Sequence, residues 1–191
     1  LVSAGDTFSP LLVALLDDQV AANPELSAIY TDEDSLRDGR PTDPIFKPDF
    51  NLDLLRSYPY AGRALAFRRM HCLELGGMVE VPAGVGAQEL IFRLVERHGL
   101  QAIGHIAEPV LHAGQSYVQW LASPAVTGRS AAVVSAHLER LGVPHEMEPG
   151  SVPGVNRVRY SHARQSPVSI IIPTRDQLPM LNGLIDSLLA K

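Results

Sequence analysis

The sequence predicts an α/β domain, a layered sheet with flanking helices, and three observations carry that reading. Strand-like and helix-like segments alternate along the chain, the pattern of layered α/β folds. The stretch at 87–98 sets Leu90, Ile91, Leu94 and Val95 on one helical face, the mark of a helix packed on a layer. The run Val168-Ser169-Ile170-Ile171-Ile172-Pro173 is apolar and β-branched, like a strand buried in a parallel sheet.

Ser9-Pro10 opens the first helix. Serine can cap free amides, and proline at the first helical position loses only an unpartnered donor. Leu12, Leu15, Leu16 and Gln19/Val20 follow at helical spacing until Asn23-Pro24 stops it. Residues 26–31 read as a short buried strand that runs into Asp32-Glu33-Asp34. From there to Pro48 the chain reads as a long polar loop with a turn at Asp38-Gly39. Long ordered loops often carry function.

A short helix is expected over 52–57, a strand over 61–67, and a helix over 68–75 stopped by Gly76-Gly77. A flexible stretch at 81–86 precedes the helix at 87–98, which Gly99 ends. Short strands follow near 102–106 and 109–112, then a helix over about 128–141 closed by Gly142. Gly150, Pro153 and Gly154 mark a linker, 155–160 alternates like an exposed strand, and 164–167 is a further linker. A helix over 181–189 follows the apolar run. The chain starts at Leu1 and stops at Lys191 directly after that helix, and is expected to be a piece of something longer.

The chain has 191 residues, 46% of them hydrophobic, with 16 Lys+Arg against 21 Asp+Glu, a net charge of −5. An acidic balance argues against general nucleic-acid binding, which needs a basic face to displace counterions. No apolar run approaches the ~20 residues that span a bilayer, and no secretory signal pattern is present. The single cysteine, Cys72, excludes an internal disulfide framework and a cysteine-rich zinc site. A reducing, cytoplasmic setting is the expectation.

Four constellations could carry chemistry. Asp32-Glu33-Asp34 lies where α/β folds place ligands, at a strand's carboxyl end, and oxygen-rich clusters suit magnesium or manganese; a solvated acidic turn is the competing reading. His98, His105 and His112 are spaced by seven, but glycine and proline interrupt any shared helix, so no zinc site is expected. Cys72 and His71 are adjacent on a helix and point in different directions, so the thiol reads as buried and structural. Gly84-Val85-Gly86 lacks the further residues of a phosphate cradle and reads as loop.

Taken in order, several motifs together resemble bacterial family 2 glycosyltransferases. They are Ile29-Tyr30-Thr31-Asp32-Glu33-Asp34, Asp38-Gly39-Arg40, Phe46-Lys47-Pro48-Asp49-Phe50-Asn51 and Asp53-Leu54-Leu55. Phe67-Arg68-Arg69, Gly76-Gly77, Arg93-Leu94-Val95-Glu96-Arg97, Pro149-Gly150, Val158-Arg159-Tyr160 and the 168–175 segment continue the likeness. It is to the rhamnosyltransferase-like, two-module type of surface polysaccharide synthesis.

The resemblance implies a partial GT-A fold, with a Rossmann-like sheet. Residues 1–122 would be the C-terminal half of one module, 123–166 a helix plus linker strand, and 167–191 the first strand and helix of a following module. It implies inverting transfer of a sugar from a nucleotide-sugar donor to a growing glycan or lipid-linked acceptor, with a hexosyltransferase as the parent protein and this piece inactive alone. The alternative is a catalytically degenerate module acting as scaffold or acceptor-binding unit. A divalent metal, Mg or Mn, is implied at a motif aligned with Ser3-Ala4-Gly5-Asp6, where Asp6 keeps a carboxylate and His112 is the nearest match to a later element. The catalytic base position falls on Gly86-Ala87, with Glu89 the acidic substitute nearby. Asp32, Glu33 and Asp34 are expected at the acceptor cleft. Thr174, Arg175 and Asp176 match the nucleotide-contacting end of the following module's first strand. A site on the cytoplasmic side, peripheral to the inner membrane, is implied, with no nucleic-acid partner. The strand at 168–172 is expected to dock on the sheet of residues 1–120, in its own chain or in a strand-swapped homo-oligomer.

Overall fold

The computed structural model describes residues 4–77, 84–161 and 167–190. The chain divides into two units, Leu1–Ser161 and His162–Lys191.

In the first unit, β1 (Thr7–Phe8) and α1 (Leu12–Ala22) precede the hairpin of β2 (Ala28–Arg37) and β3 (Arg40–Ile45). Then come α2 (Leu52–Ser57), β4 (Leu65–Phe67), α3 (Arg69–Glu74), α4 (Gly86–His98) and β5 (Ile103–Ala113). Helices α5 (Tyr117–Leu121), α6 (Pro124–Thr127) and α7 (Ser130–Arg140) lead to a second hairpin, β6 (His145–Pro149) with β7 (Asn156–Tyr160). The fold is mixed α/β, as the sequence predicts. Its main sheet runs β1-β5-β2-β3, with β4 also on β2. The pair β2–β5 is parallel, while β1–β5, β2–β3 and β2–β4 are antiparallel.

Two expectations change at β2. The acidic trio does not enter a loop. It lies inside a ten-residue strand, and the stretch read as a long loop contains the returning strand β3. The turn between them is the expected Asp38-Gly39, with φ of +51° and +72°. Positive φ at both positions is what a two-residue hairpin turn requires. Pro41 and Pro44 fit in β3 because β3 is an edge strand, where a missing N–H costs no ladder bond. Similarly, the segments 102–106 and 109–112 form one strand. Its register on β2 jumps from Thr31↔Ile106 to Asp32↔Pro109, so the bulge at Ala107-Glu108 explains the break in the sequence pattern.

The core sits between the sheet and α4. Leu90, Ile91, Phe92 and Leu94 of α4 are fully buried with Tyr30, Leu55 and Tyr60. Val134 and Leu138 of α7 join the same core. Helix α4 ends at Gly99, φ +86°, as expected. Helix α2 is capped by Asn51, whose side chain accepts from the Leu54 amide at 2.8 Å. On the other side of the sheet, Leu15 and Leu16 of α1 pack on Leu26, Ile29 and Ile106.

In the second unit, α8 spans Leu178–Leu189. The expected strand at 168–172 is not formed: residues 167–173 have no regular secondary structure, and Val168 and Ile171 are exposed at 82% and 92%. Strand propensity describes fit to a pleated, paired surface, so a β-branched run without a ladder need not be a strand. The linker expected at 164–167 lies mostly outside the described residues, as do 81–83 of the flexible stretch and Ser3.

Candidate functional site

Asp32, Glu33 and Asp34 are exposed at only 1, 0 and 5%. This corrects the reading of a solvated acidic turn. A buried charge must be paired or hydrogen-bonded, and each of the three is satisfied differently.

Glu33 is held by two cations. Lys47 Nζ donates to Oε2 at 2.8 Å, and the Arg63 guanidinium donates to Oε1 through both Nε and a terminal nitrogen. Lys47 Nζ also donates to the carbonyls of Thr31 and Ala61 at 2.7 and 3.1 Å. Burial pushes the Lys47 ammonium below the usual lysine range, against the pull of Glu33. Arg63 further donates to the Gln115 carbonyl and lies over the Trp120 ring.

Asp32 accepts from the Lys47 backbone N–H at 2.8 Å and meets His105 Nε2 at 2.9 Å. His105 Nδ1 meets Asp49 at 3.2 Å, and Tyr30 stacks on the imidazole at 4.6 Å. The Tyr30 hydroxyl donates to the Pro48 carbonyl at 2.6 Å. The segment Phe46-Lys47-Pro48-Asp49 is thus pinned to Tyr30-Thr31-Asp32-Glu33 by four hydrogen bonds. The two motifs that stand out in the sequence are one interlocked structure.

Asp34 meets His112 Nδ1 at 2.8 Å. Among the described residues, Nε2 of His112 has no protein hydrogen-bond partner, and the side chain is one-fifth exposed. Thr7 of β1 lies opposite His112, and Asp6 beside it accepts from the Gly114 amide at 3.4 Å. Asp6, Asp34 and His112 therefore share one end of the sheet. They do not fit a divalent metal by themselves. Asp34 occupies one nitrogen of His112, and among the described residues no three His, Cys, Asp or Glu side chains are placed to hold an ion.

Glu89 lies in the first turn of α4, where a carboxylate suits the helix dipole. Both its oxygens are taken by Arg93, at 2.6 and 2.9 Å, and Arg93 also donates to the carbonyls of Leu75 and Gly77. Thr174, Arg175 and Asp176 belong to the second unit and are exposed.

The structure thus brings Asp32, Asp34, His112 and Asp6 to one region, turns Glu33 to buried cations, and commits Glu89 to Arg93. Arg63 and Gly62 are not legible in the sequence, and His105 is singled out there only as part of an evenly spaced histidine set, without its carboxylate partners. Arg63 and Gly62 sit in an unremarkable Ala-Gly-Arg stretch. His105 gains its partners only through the parallel pairing Tyr30↔His105, which no local pattern announces.

No family model matches the chain. Over its whole length it is 37% identical to the O-antigen biosynthesis protein RfbC of Myxococcus xanthus and 30% identical to the uncharacterized protein y4gI of Sinorhizobium fredii. The chain spans 15% and 22% of the length of these curated relatives. Among the described residues, no helix is long and apolar enough to cross a membrane.

Proposed function

We propose that the chain is a glycosyltransferase-like module of a larger protein that builds a surface polysaccharide. The observation that carries this is the end-to-end similarity to a protein of O-antigen biosynthesis. The α/β fold with a parallel pair at its centre is compatible with a partial GT-A sheet. The parent reaction on this reading is inverting transfer from a nucleotide-sugar to a glycan or lipid-linked acceptor, at the cytoplasmic side of the membrane.

Within that reaction the geometry favours acceptor binding and scaffolding for this module. Glu33 and Glu89 are occupied by arginine and lysine, and no metal cluster forms among the described residues. A second reading has one supporting observation, the Asp34–His112 pair. A carboxylate on Nδ1 orients the ring and leaves Nε2 to take a proton from an acceptor hydroxyl.

The test is calorimetry and turnover of the full-length protein with a panel of nucleotide-sugars plus manganese. Saturable donor binding with turnover is expected. Neither heat nor turnover with any donor overturns the glycosyltransferase reading. His112→Ala and Asp34→Asn separate the two roles. Turnover kept within about twofold assigns this module to binding, and a loss of about 10²-fold or more assigns it the base.

A further inference from the structure

A cavity of about 720 Å³, lined by polar and apolar groups in similar measure, opens between α2 and the β6–β7 hairpin, within the size range of small-molecule sites. Its position and chemistry are distinct from the Asp32–Asp34 region. Asp53, Arg56, Ser57, Asn156, Arg157 and Tyr160 supply its polar and aromatic groups. Arg56 is the fixed element. Its side chain is only 15% exposed, and it is held by Asp53 at 2.8 Å and by His137 Nε2 at 3.2 Å. Asn156 is anchored by donating to Ser130 Oγ at 3.0 Å. Asp53 and Arg157 remain 84% and 72% exposed, so both can meet a ligand. A second cavity of about 540 Å³ lies along the same turn, residues 150–155, and shares Asn156 as lining.

An anion site would collect cations and exclude carboxylates. This lining instead mixes a carboxylate, guanidinium groups, an amide, hydroxyls and a phenol ring. Paired donors and acceptors of this kind match the vicinal hydroxyls of a sugar, and the Tyr160 ring offers an apolar face for a pyranose. Two cavities bordering one turn give room for consecutive sugar units. We propose that this cleft is a saccharide-binding site that holds a segment of a glycan chain. This deepens the reading of the module as a glycan-handling unit and rests on it for the choice of probes.

The experiment titrates the 15N-labelled chain with methyl hexopyranosides, a linear hexose oligosaccharide and, separately, inorganic phosphate. Saturable amide shifts at Ser57, Gly150, Asn156, Arg157 and Val158 are expected with the saccharides, and tighter binding of the oligosaccharide. Asp53→Ala and Arg157→Ala change exposed side chains and should each weaken binding about three- to tenfold, with spectra unaltered away from the cleft. No saturable shift at tens of millimolar saccharide overturns the proposal. So do shifts confined to other residues, unweakened binding by both variants, or phosphate alone moving these amides. Sugar transfer by the full-length protein without saccharide binding at this cleft would overturn this site and leave the functional reading intact. Binding here without transfer would do the reverse.

Discussion

Gly62 is the wall against which the Glu33 carboxylate rests. A β-carbon at residue 62 would stand 2.5 Å from Glu33 Oε2 and 2.4 Å from Lys47 Nζ, and Gly62 has φ of +90°. Backbone and side-chain requirements therefore coincide at one position. Lys47 cannot easily withdraw, because its ammonium also donates to Thr31 and Ala61. Gly62→Ala should destabilise the fold by about 2–4 kcal/mol, from backbone strain and a disturbed buried ion pair. Urea unfolding checks this, and a change below about half a kilocalorie would show that the Glu33–Lys47–Arg63 cluster tolerates the methyl group.

Lys47 and Arg63 both pair with Glu33, and all three side chains are nearly inaccessible. Removing Lys47 leaves Glu33 with Arg63 alone and takes the buried donor from the Thr31 and Ala61 carbonyls. Lys47→Met should cost about 3–5 kcal/mol in the wild-type chain and clearly less in a Glu33→Gln background, where it removes a buried cation that has already lost its carboxylate. Strict additivity of the two substitutions in a double-mutant cycle would contradict this coupling.

Legibility in the sequence followed the range of the interactions. Helices α2 and α4, the Asp38-Gly39 turn and the glycine stops rest on local rules, and their positions were readable. From sequence alone, strand β2 reads short because charged residues look like an exit to solvent. Lys47, Arg63 and His105 supply their partners from 14, 30 and 73 residues away. The motif Phe46-Lys47-Pro48-Asp49 was visible as a pattern, but its reason is tertiary: it closes over β2. Strand β6 is not legible in the sequence because His145-Glu146-Met147-Glu148-Pro149 has no strong strand propensity, and its pairing with β7 decides it.

The family resemblance makes Glu89 the substitute for a catalytic base. With Arg93 on both oxygens, its expected role is to tie α4 to the Gly76-Gly77 turn through Arg93. Glu89→Gln should therefore lower thermal stability while turnover of the full-length protein stays within about twofold. A loss of turnover without loss of stability would return Glu89 to the chemistry.

The exposed apolar run at 168–171 carries a self-association prediction. Burying each such side chain stabilises by about 1.5–3 kcal/mol, and Val168, Ile170 and Ile171 are now exposed. Isolated in solution, the chain should associate as its concentration rises, through strand exchange between copies. Ile170→Asp with Ile171→Asp should shift the species seen by sedimentation velocity towards monomer. Wild-type chain that stays monomeric at high concentration would refute the exchange.

His137 should make the fold acid-sensitive near neutral pH. The ring is buried and stacked on Phe92 at 4.2 Å. Nδ1 faces Glu96 Oε1 at 2.6 Å, while Nε2 faces the Arg56 guanidinium, a donor that never accepts. Nε2 must therefore accept, which fixes the neutral tautomer with its proton on Nδ1. Burial lowers the His137 pKa below the ordinary histidine value of 6.5; Arg56 adds to this, and the opposing pull of Glu96 is insufficient. Burial alone would raise Glu96, yet hydrogen bonds from Arg140 and His137 outweigh it and hold that carboxyl below its usual range. For His137 the unfolded chain binds the proton more readily, so stability falls as pH drops below about 6.5. For Glu96 the contribution is present above the ordinary carboxylate value of 4.5 and disappears as pH falls through its lower folded value. Both effects act in the same direction and in successive windows. Melting temperature should therefore decline from pH 7.5 to 5.5 and decline again below about 4.5. His137→Gln should be less stable at neutral pH and should flatten the upper window only. An upper slope that survives this substitution would assign it to another histidine.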